Sequence, residues 1–450
     1  EEFLDPSKSM DSPFMPSWKR VISAVPDILH RLRIAVEEDR LEFGSEIVLN
    51  PSLHTKAKGL RQRVAFHVKE IYGDEDVDEI TDELMEAAKM SEHASPPAHV
   101  KSKWDQSDVM MITYGDSIKK EGRPPLRELN NFMVSQLKNT ISGVHILPFN
   151  PYSSDDGFSI IDYTAVNPEL GSWDDITALG NEFSVMADLV INHCSRESLW
   201  FKNYEKNKAP GRGYFINGLE FEDLSQVVRP RSSPLLTEIH AVDGVKQVWC
   251  TFGEDQVDLN YRNPDVLLEI VRIIRHYVEQ GIHFFRLDAI AFLWKESGTS
   301  CVHLPQTHEL IKLLRLVIEN LDPSAVIITE TNVPNRENLS YFGNDNEAHL
   351  IYNFSLPPLL LYSILSGDCK HLKTWMTSMP PARSGRAYLN FIASHDGIGL
   401  RPAEGLLSPR ELDGLIENIR ESGGEISMRR TPQGDLTPYE ANISLYSAME

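Results

Sequence analysis

Cysteine is scarce: four residues in 450, at positions 194, 250, 301 and 369, with no C-x-x-C pair. That excludes a disulfide framework or a thiolate zinc site, and it suits reduced thiols in a cytoplasm. No apolar run approaches the roughly 20 residues that a membrane span needs. The opening stretch, Glu1 to Pro13, is acidic and polar, unlike a secretory leader. Cationic side chains are in deficit too, with 44 Lys and Arg against 66 Asp and Glu, for a formal charge of −22. A field of that sign repels polyanions, so neither nucleic acid nor an anionic membrane is an expected partner. Any phosphate must then meet a local basic pocket. No G-x-x-x-x-G-K and no G-x-G-x-x-G follows a strand-like run, so no cofactor is implied.

What is present is an ordinary globular balance, 41% hydrophobic and 24% charged, in a chain long enough for one large domain plus an appendage. Residues 1–104 predict a helical N-terminal extension. Val21, Ile22, Val25, Ile28, Leu29, Leu32 and Ile34 recur at helical spacing, as do Leu60, Val64, Val68 and Ile71. A third helix is expected over Asp82–Met90, and Ser91–Ser102 reads as a linker around Pro96 and Pro97. From Val109 the rhythm changes to short apolar runs, each followed by a helical pattern. The runs are Val109–Tyr114, Gly143–Phe149, Ser184–Ile191, Ile282–Ala289, Ala325–Thr331, His349–Phe354 and Tyr388–Ala393. Such alternation predicts an α/β fold with a parallel sheet over residues 105–450, a TIM-type (β/α)8 barrel whose active site lies at the C-terminal strand ends. A doubly wound sheet is the alternative. The gap over about 194–275 predicts a small inserted subdomain after strand 3. No eighth strand is visible, and a helical pattern over Asn442–Met449 ends the sequence, so the barrel is expected to be incomplete at its C-terminal side.

Four of the runs end in chemistry-bearing residues: Asp188–His193, Arg286–Asp288, Thr329–Asn332 and Ser394–Gly397. Singly, each could be a helix cap or a hydrogen-bonded neighbour; together, in this order, they suit glycosidic bond cleavage. That reaction needs one carboxylate to attack the anomeric carbon and one carboxylic acid to protonate the leaving oxygen, roughly 5–5.5 Å apart in retaining enzymes. Asp288 and Glu330 end neighbouring strands and are the candidates. Arg286 shares a strand face with Asp288 and would keep it ionised. Glu330 must be protonated for the first step, so a raised pKa is expected there.

These segments resemble the four signature regions of the α-amylase-type glycoside hydrolase superfamily. The resemblance covers about Ile112 to Tyr439 and implies that Asp288 is the nucleophile, Glu330 the acid/base and Asp396 the carboxylate that stabilises the transition state. It implies that His193, Arg286 and His395 contact the glucosyl unit. The stretches Gly143–Asn150, Ser154–Phe158, Gly171–Asp175, Glu296–Cys301 and Asp396–Gly399 are similar to the sucrose phosphorylase subfamily, which implies that Asp155 holds distal glucose hydroxyls. Glu330 is followed by Thr331 and Asn332 where sucrose phosphorylases carry Glu-x-His, and Phe292 stands where they have tyrosine. Thr329–Pro334, Tyr341–Gly343, Asn346–Ala348 and Arg401–Gly405 resemble the glucosylglycerate phosphorylase branch instead. The implied activity is phosphorolysis of a small α-glucoside to α-glucose 1-phosphate. By the same resemblance, Asn332 lies on the acceptor side, Arg229 and Arg231 are the phosphate contacts, and Tyr439 is an acceptor-site tyrosine. Asn192 and Asp188 sit where many amylases place a calcium ligand and a sugar contact, but no metal is expected here. The remaining alternatives are a sucrose or sucrose-phosphate phosphorylase, an α-glucoside hydrolase or transglucosidase, and a non-catalytic amylase-like binding subunit.

Overall fold

The computed structural model describes residues 59–91, 103–231, 233–383, 385–431 and 435–449. The helix expected over Val21–Ile34 and most of the linker at 91–102 lie outside these residues.

Two helices come first, α1 (Leu60–Tyr72) and α2 (Val77–Ala87). The spacing Leu60, Val64, Val68, Ile71 places all four on one buried stripe of α1. Helix α2 begins five residues earlier than the sequence suggests. Asp78 and Glu79 occupy its first turn, where carboxylates are favoured by the helix dipole, so the acidic stretch belongs to the helix rather than preceding it. Both helices join the same core as the domain that follows, α1 sharing it with Leu310, Leu314 and Val317. Gly59–Glu450 forms one compact unit that includes both helices.

The domain then runs β1 (Met110–Thr113), α3 (Pro125–Gln136), β2 (Gly143–Ile146), α4 (Trp173–Gly180) and β3 (Ser184–Val190). An inserted segment follows, with β4 (His193–Ser195), α5 (Leu199–Glu205), β5 (Leu236–Ala241), β6 (Gly244–Trp249) and β7 (Gln256–Asp258). Next come α6 (Pro264–Glu279), β8 (Phe284–Asp288), α7 (Pro305–Leu321), β9 (Val326–Thr329), α8 (Asn335–Ser340), β10 (Leu350–Tyr352), α9 (Leu356–Ser366), α10 (Lys370–Ser378) and β11 (Ala387–Leu389). The chain closes with β12 (Ile398–Gly399), α11 (Pro409–Glu421), β13 (Glu425–Arg430) and β14 (Leu436–Asn442).

Among the described residues, seven strands form one parallel sheet in the order β1-β2-β3-β8-β9-β10-β11. Spatial order follows chain order throughout, with no reversal, which is the pattern of a curling barrel wall and not of a doubly wound sheet. The middle strands are covered on both faces: β2, β9 and β10 are buried along their whole length, which is why their sequences read as unbroken apolar runs. The insertion ends sooner than expected. Asn263 accepts a hydrogen bond from the Asp265 amide at 3.0 Å, and Pro264 occupies the first turn of α6. That cap starts a barrel helix inside the stretch assigned to the insertion.

The sequence reading also missed a three-stranded antiparallel sheet, β12-β14-β13. The helix expected over Asn442–Met449 is instead the end of β14 followed by a short 3-10 turn, Ser447–Met449. Pairing of Ala441 with both Ile398 and Ile426 overrides the local helical pattern. This sheet brings β14 against the C-terminal strand ends.

Candidate active site

Strand alternation builds the centre of the site. Arg286 and Asp288 point to one face of β8, and the Arg286 Nη1 donates to Asp288 Oδ1 at 2.8 Å. The same nitrogen donates to Asp188 at the end of β3. Asp188 is also 2.8 Å from His145 Nε2. Burial works against its charge, yet His145 and Arg286 hold Asp188 down to about 2. Asp188 therefore anchors the guanidinium from behind and leaves Arg286 to face Asp288. Burial raises Asp288 above the ordinary carboxylate range, with Arg286 opposing it.

Glu330 follows β9. Its Oε2 accepts from the Ala289 amide at 3.1 Å, and Ala289 adopts a φ of 48° to present that N–H. A non-glycine residue in the left-handed region beside the proposed nucleophile is a strained conformation held by its surroundings. Burial first, and then the negative field of Asp288 and Asp396, push Glu330 up to about 8, despite Arg286. Burial raises both carboxyls, but Asp288 is hydrogen-bonded to the Arg286 cation while Glu330 is met by a backbone amide and kept protonated near neutrality.

These groups line one pocket of about 140 Å³. It contains Asp155, His193, Arg231, Arg286, Asp288, Glu330, Asn332, His395, Asp396 and Tyr439 from the sequence prediction. Arg231 lines this pocket, while Arg229, half-buried, is not among its lining residues. Asp155, Asp156 and Gly157 have consecutive φ values of 55°, 49° and 111°. At Gly157 a Cβ would meet the Pro148 carbonyl oxygen at 2.8 Å, so this loop needs glycine there. Asp255 gathers the same loop by accepting from Ser154 at 2.6 Å and Ser159 at 2.8 Å. His395 stacks on Phe158 at 5.1 Å and 7°, and its Nε2 is 3.3 Å from Asp396 Oδ2. Burial lowers the His395 pKa, with Asp396 opposing.

Several lining residues escaped the sequence reading, notably Gln256, Arg401 and Glu440. Gln256 donates to Asp155 Oδ2 at 2.8 Å, held there by pairing of β7 with β4. Glu440 Oε1 accepts from Asn332 Nδ2 at 2.7 Å, and its Oε2 lies 3.4 Å from Arg231 Nη1. Burial and the charge of Asp396 push Glu440 up to about 7. The neighbour of Tyr439 was the available signal for Glu440, but only the antiparallel sheet places it.

The Asn192 oxygen, at the position weighed as a calcium ligand, accepts from Lys295 Nζ at 2.9 Å. That ammonium also sits 2.6 Å from Asp258 Oδ2. Among the described residues no group of three or more His, Cys, Asp and Glu side chains is placed to hold a metal ion.

Two buried acidic groups at the C-terminal strand ends of a curled parallel sheet form the arrangement on which (β/α) barrels build glycosidic-bond chemistry. The model of the α-amylase catalytic domain matches residues 137–398, and the chain belongs to that family. It is 49% identical over 345 residues to a glucosylglycerate phosphorylase of Spirochaeta thermophila, covering 77% of this chain and 59% of that protein. To a glucosylglycerate phosphorylase of Allomeiothermus silvanus it is 43% identical over 391 residues, covering 87% of this chain and 69% of the other. In fold it is similar to the crystal structure of a sucrose 6F-phosphate phosphorylase from Thermoanaerobacter thermosaccharolyticum, with a TM-score of 0.69 at 24% identity over 77% of this chain and 72% of that one.

Proposed function

We propose that the protein is a retaining α-glucoside phosphorylase that releases α-glucose 1-phosphate from a small glucoside, glucosylglycerate being favoured. The observation that carries this reading is the meeting of Asp288, ion-paired with Arg286 at 2.8 Å, and Glu330, hydrogen-bonded to the Ala289 amide at 3.1 Å, in one pocket at neighbouring strand ends. Asp288 attacks the anomeric carbon while Glu330 gives its proton to the departing acceptor oxygen, leaving a β-glucosyl-enzyme. Phosphate then attacks the same carbon from the opposite side, Glu330 takes back the proton, and the Asp288 ester bond breaks. Two inversions restore the α configuration. Asp396 steadies the positive charge on the sugar ring, while Asp155, His193 and His395 hold the glucose hydroxyls.

Phosphorolysis rather than hydrolysis is supported by Arg231, a pocket cation placed to meet an anion. The similarity to glucosylglycerate phosphorylases at 49% and 43% identity points the same way. A cytoplasmic setting fits four free thiols, three of them buried, and among the described residues no helix is long and apolar enough to cross a membrane.

The test is incubation of the purified protein with α-glucose 1-phosphate and a panel of acceptors while phosphate release is followed. Release with glycerate supports the reading and its branch, and release with fructose alone would move it to the sucrose branch. Hydrolysis of α-glucosides without phosphate release from any acceptor would overturn phosphorolysis.

A further inference from the structure

Beyond the groups assigned to the glucosyl unit, the pocket wall carries two guanidinium groups in different states. Arg231 is already engaged, with Glu440 at 3.4 Å and the Tyr439 ring centroid 5.8 Å from its central carbon. Arg401, in the 3-10 turn Arg401–Ala403 after β12, also lines the pocket. Its side chain is 14% exposed, and the nearest carboxylate, Glu337 Oε2, is 3.8 Å from Nη2. That is an ion-pair distance but not a hydrogen bond. The Arg401 Nε is buried and has no hydrogen-bond partner, an unmatched donor on a side chain that offers five.

The support behind Arg401 is built. Glu337 is 3.2 Å from His303 Nε2, and His303 Nδ1 is 2.6 Å from the Tyr341 hydroxyl. The turn itself is pinned by Ser355 Oγ, which donates to the Pro402 carbonyl at 3.0 Å. A guanidinium on the pocket wall whose one nearby carboxylate stands at 3.8 Å from Nη2 keeps its outer N–H groups for a ligand.

We propose that Arg401 binds the carboxylate of the acceptor, a hydroxy acid of glycerate size, and so selects acids over neutral polyols, while Arg231 serves the phosphate. This rests on the phosphorylase reading above and adds to it the residue that reads the acceptor's charge.

The experiment compares two acceptors of one carbon skeleton, glycerate and glycerol, in transfer from α-glucose 1-phosphate. It uses the parent protein, Arg401→Gln and Arg401→Lys. The readout is the ratio of kcat/KM for glycerate to that for glycerol within each protein, which is insensitive to a general loss of active molecules. Loss of charge-assisted hydrogen bonds predicts a fall of about 10–100-fold in that ratio for Arg401→Gln. Arg401→Lys, which keeps the charge but not the fork, should fall less. A ratio that moves by less than about threefold in both variants overturns the inference, whatever the absolute rates. So does a rise in KM for phosphate in the reverse reaction that matches the loss on glycerate. Parent protein that transfers nothing to glycerate would sink the phosphorylase branch itself, and this inference with it; transfer that keeps its ratio in both variants sinks the inference alone.

Discussion

At the scale of single residues, the account turns on what surrounds two carboxyls. Replacing Asp288 by Asn keeps the shape and the contact with Arg286 but removes the attacking oxygen anion, so kcat should drop by about 10⁴-fold or more. Transfer from α-glucose 1-phosphate measures it directly. Glu330 gives a pH prediction. As a proton donor with a pKa near 8, it is active in its protonated form, so kcat/KM for glucosyl-enzyme formation should fall tenfold per unit as pH rises beyond about 8. A stability effect follows with a definite sign. Its folded pKa is raised, so the contribution of the neutral acid is full below the ordinary carboxylate range and is lost as pH rises through about 8. Glu330→Gln cannot ionise and should melt about 1–3 °C above the parent at pH 8–9 while losing activity. A lower melting temperature there would contradict the assigned burial cost. The contact between Arg286 and Asp288 was legible in the sequence because a strand's two-residue alternation fixes which side chains share a face. Nothing local announces that Ala289 takes a φ of 48° to meet Glu330.

At the scale of elements, the insertion is tied to the barrel by a buried ammonium. Lys295 Nζ bridges Asp258 on β7 and Asn192 after β3 at 2.6 and 2.9 Å. Asp258 also accepts from the Thr251 amide at 2.8 Å and hydroxyl at 2.6 Å. Lys295→Met would leave a buried carboxylate without its cation, and about 3–5 kcal/mol of stability should be lost. Denaturant unfolding of the variant measures this, and a loss below 1 kcal/mol would mean that water replaces the ammonium. Helix ends show why some boundaries were readable and others not. The Asn263-Pro264 start of α6 carries a local signal, a capping side chain before a first-turn proline. The β12-β14-β13 sheet carries none, since Ile398 meets Ala441 only after 42 intervening residues have folded back. Glu440 was therefore beyond local reasoning, whereas Tyr439 was named through the family resemblance alone. Gln256 was hidden in the same way by the long-range pairing of β7 with β4.

At the scale of the whole molecule, helices α1 and α2 are part of the barrel domain's core. Leu84 is fully buried in the cluster that also contains Ile270 and Ile274 of α6. Leu84→Ala should cost about 2–5 kcal/mol and lower the stability of the barrel as well, seen as one cooperative transition by circular dichroism and tryptophan fluorescence. Two separated transitions would mean that residues 59–91 fold as an independent appendage. The barrel itself was legible because regular alternation of strand and helix specifies neighbour order, whereas the role of the flanking helices depends on which barrel face they cover.

The most direct test of the central claim is exchange between labelled inorganic phosphate and α-glucose 1-phosphate in the absence of any acceptor. A covalent intermediate on Asp288 that phosphate can enter and leave predicts label appearing in glucose 1-phosphate with the parent protein and none with Asp288→Asn. Absence of exchange in a parent protein that still cleaves α-glucosides would contradict phosphorolysis through a glucosyl-enzyme.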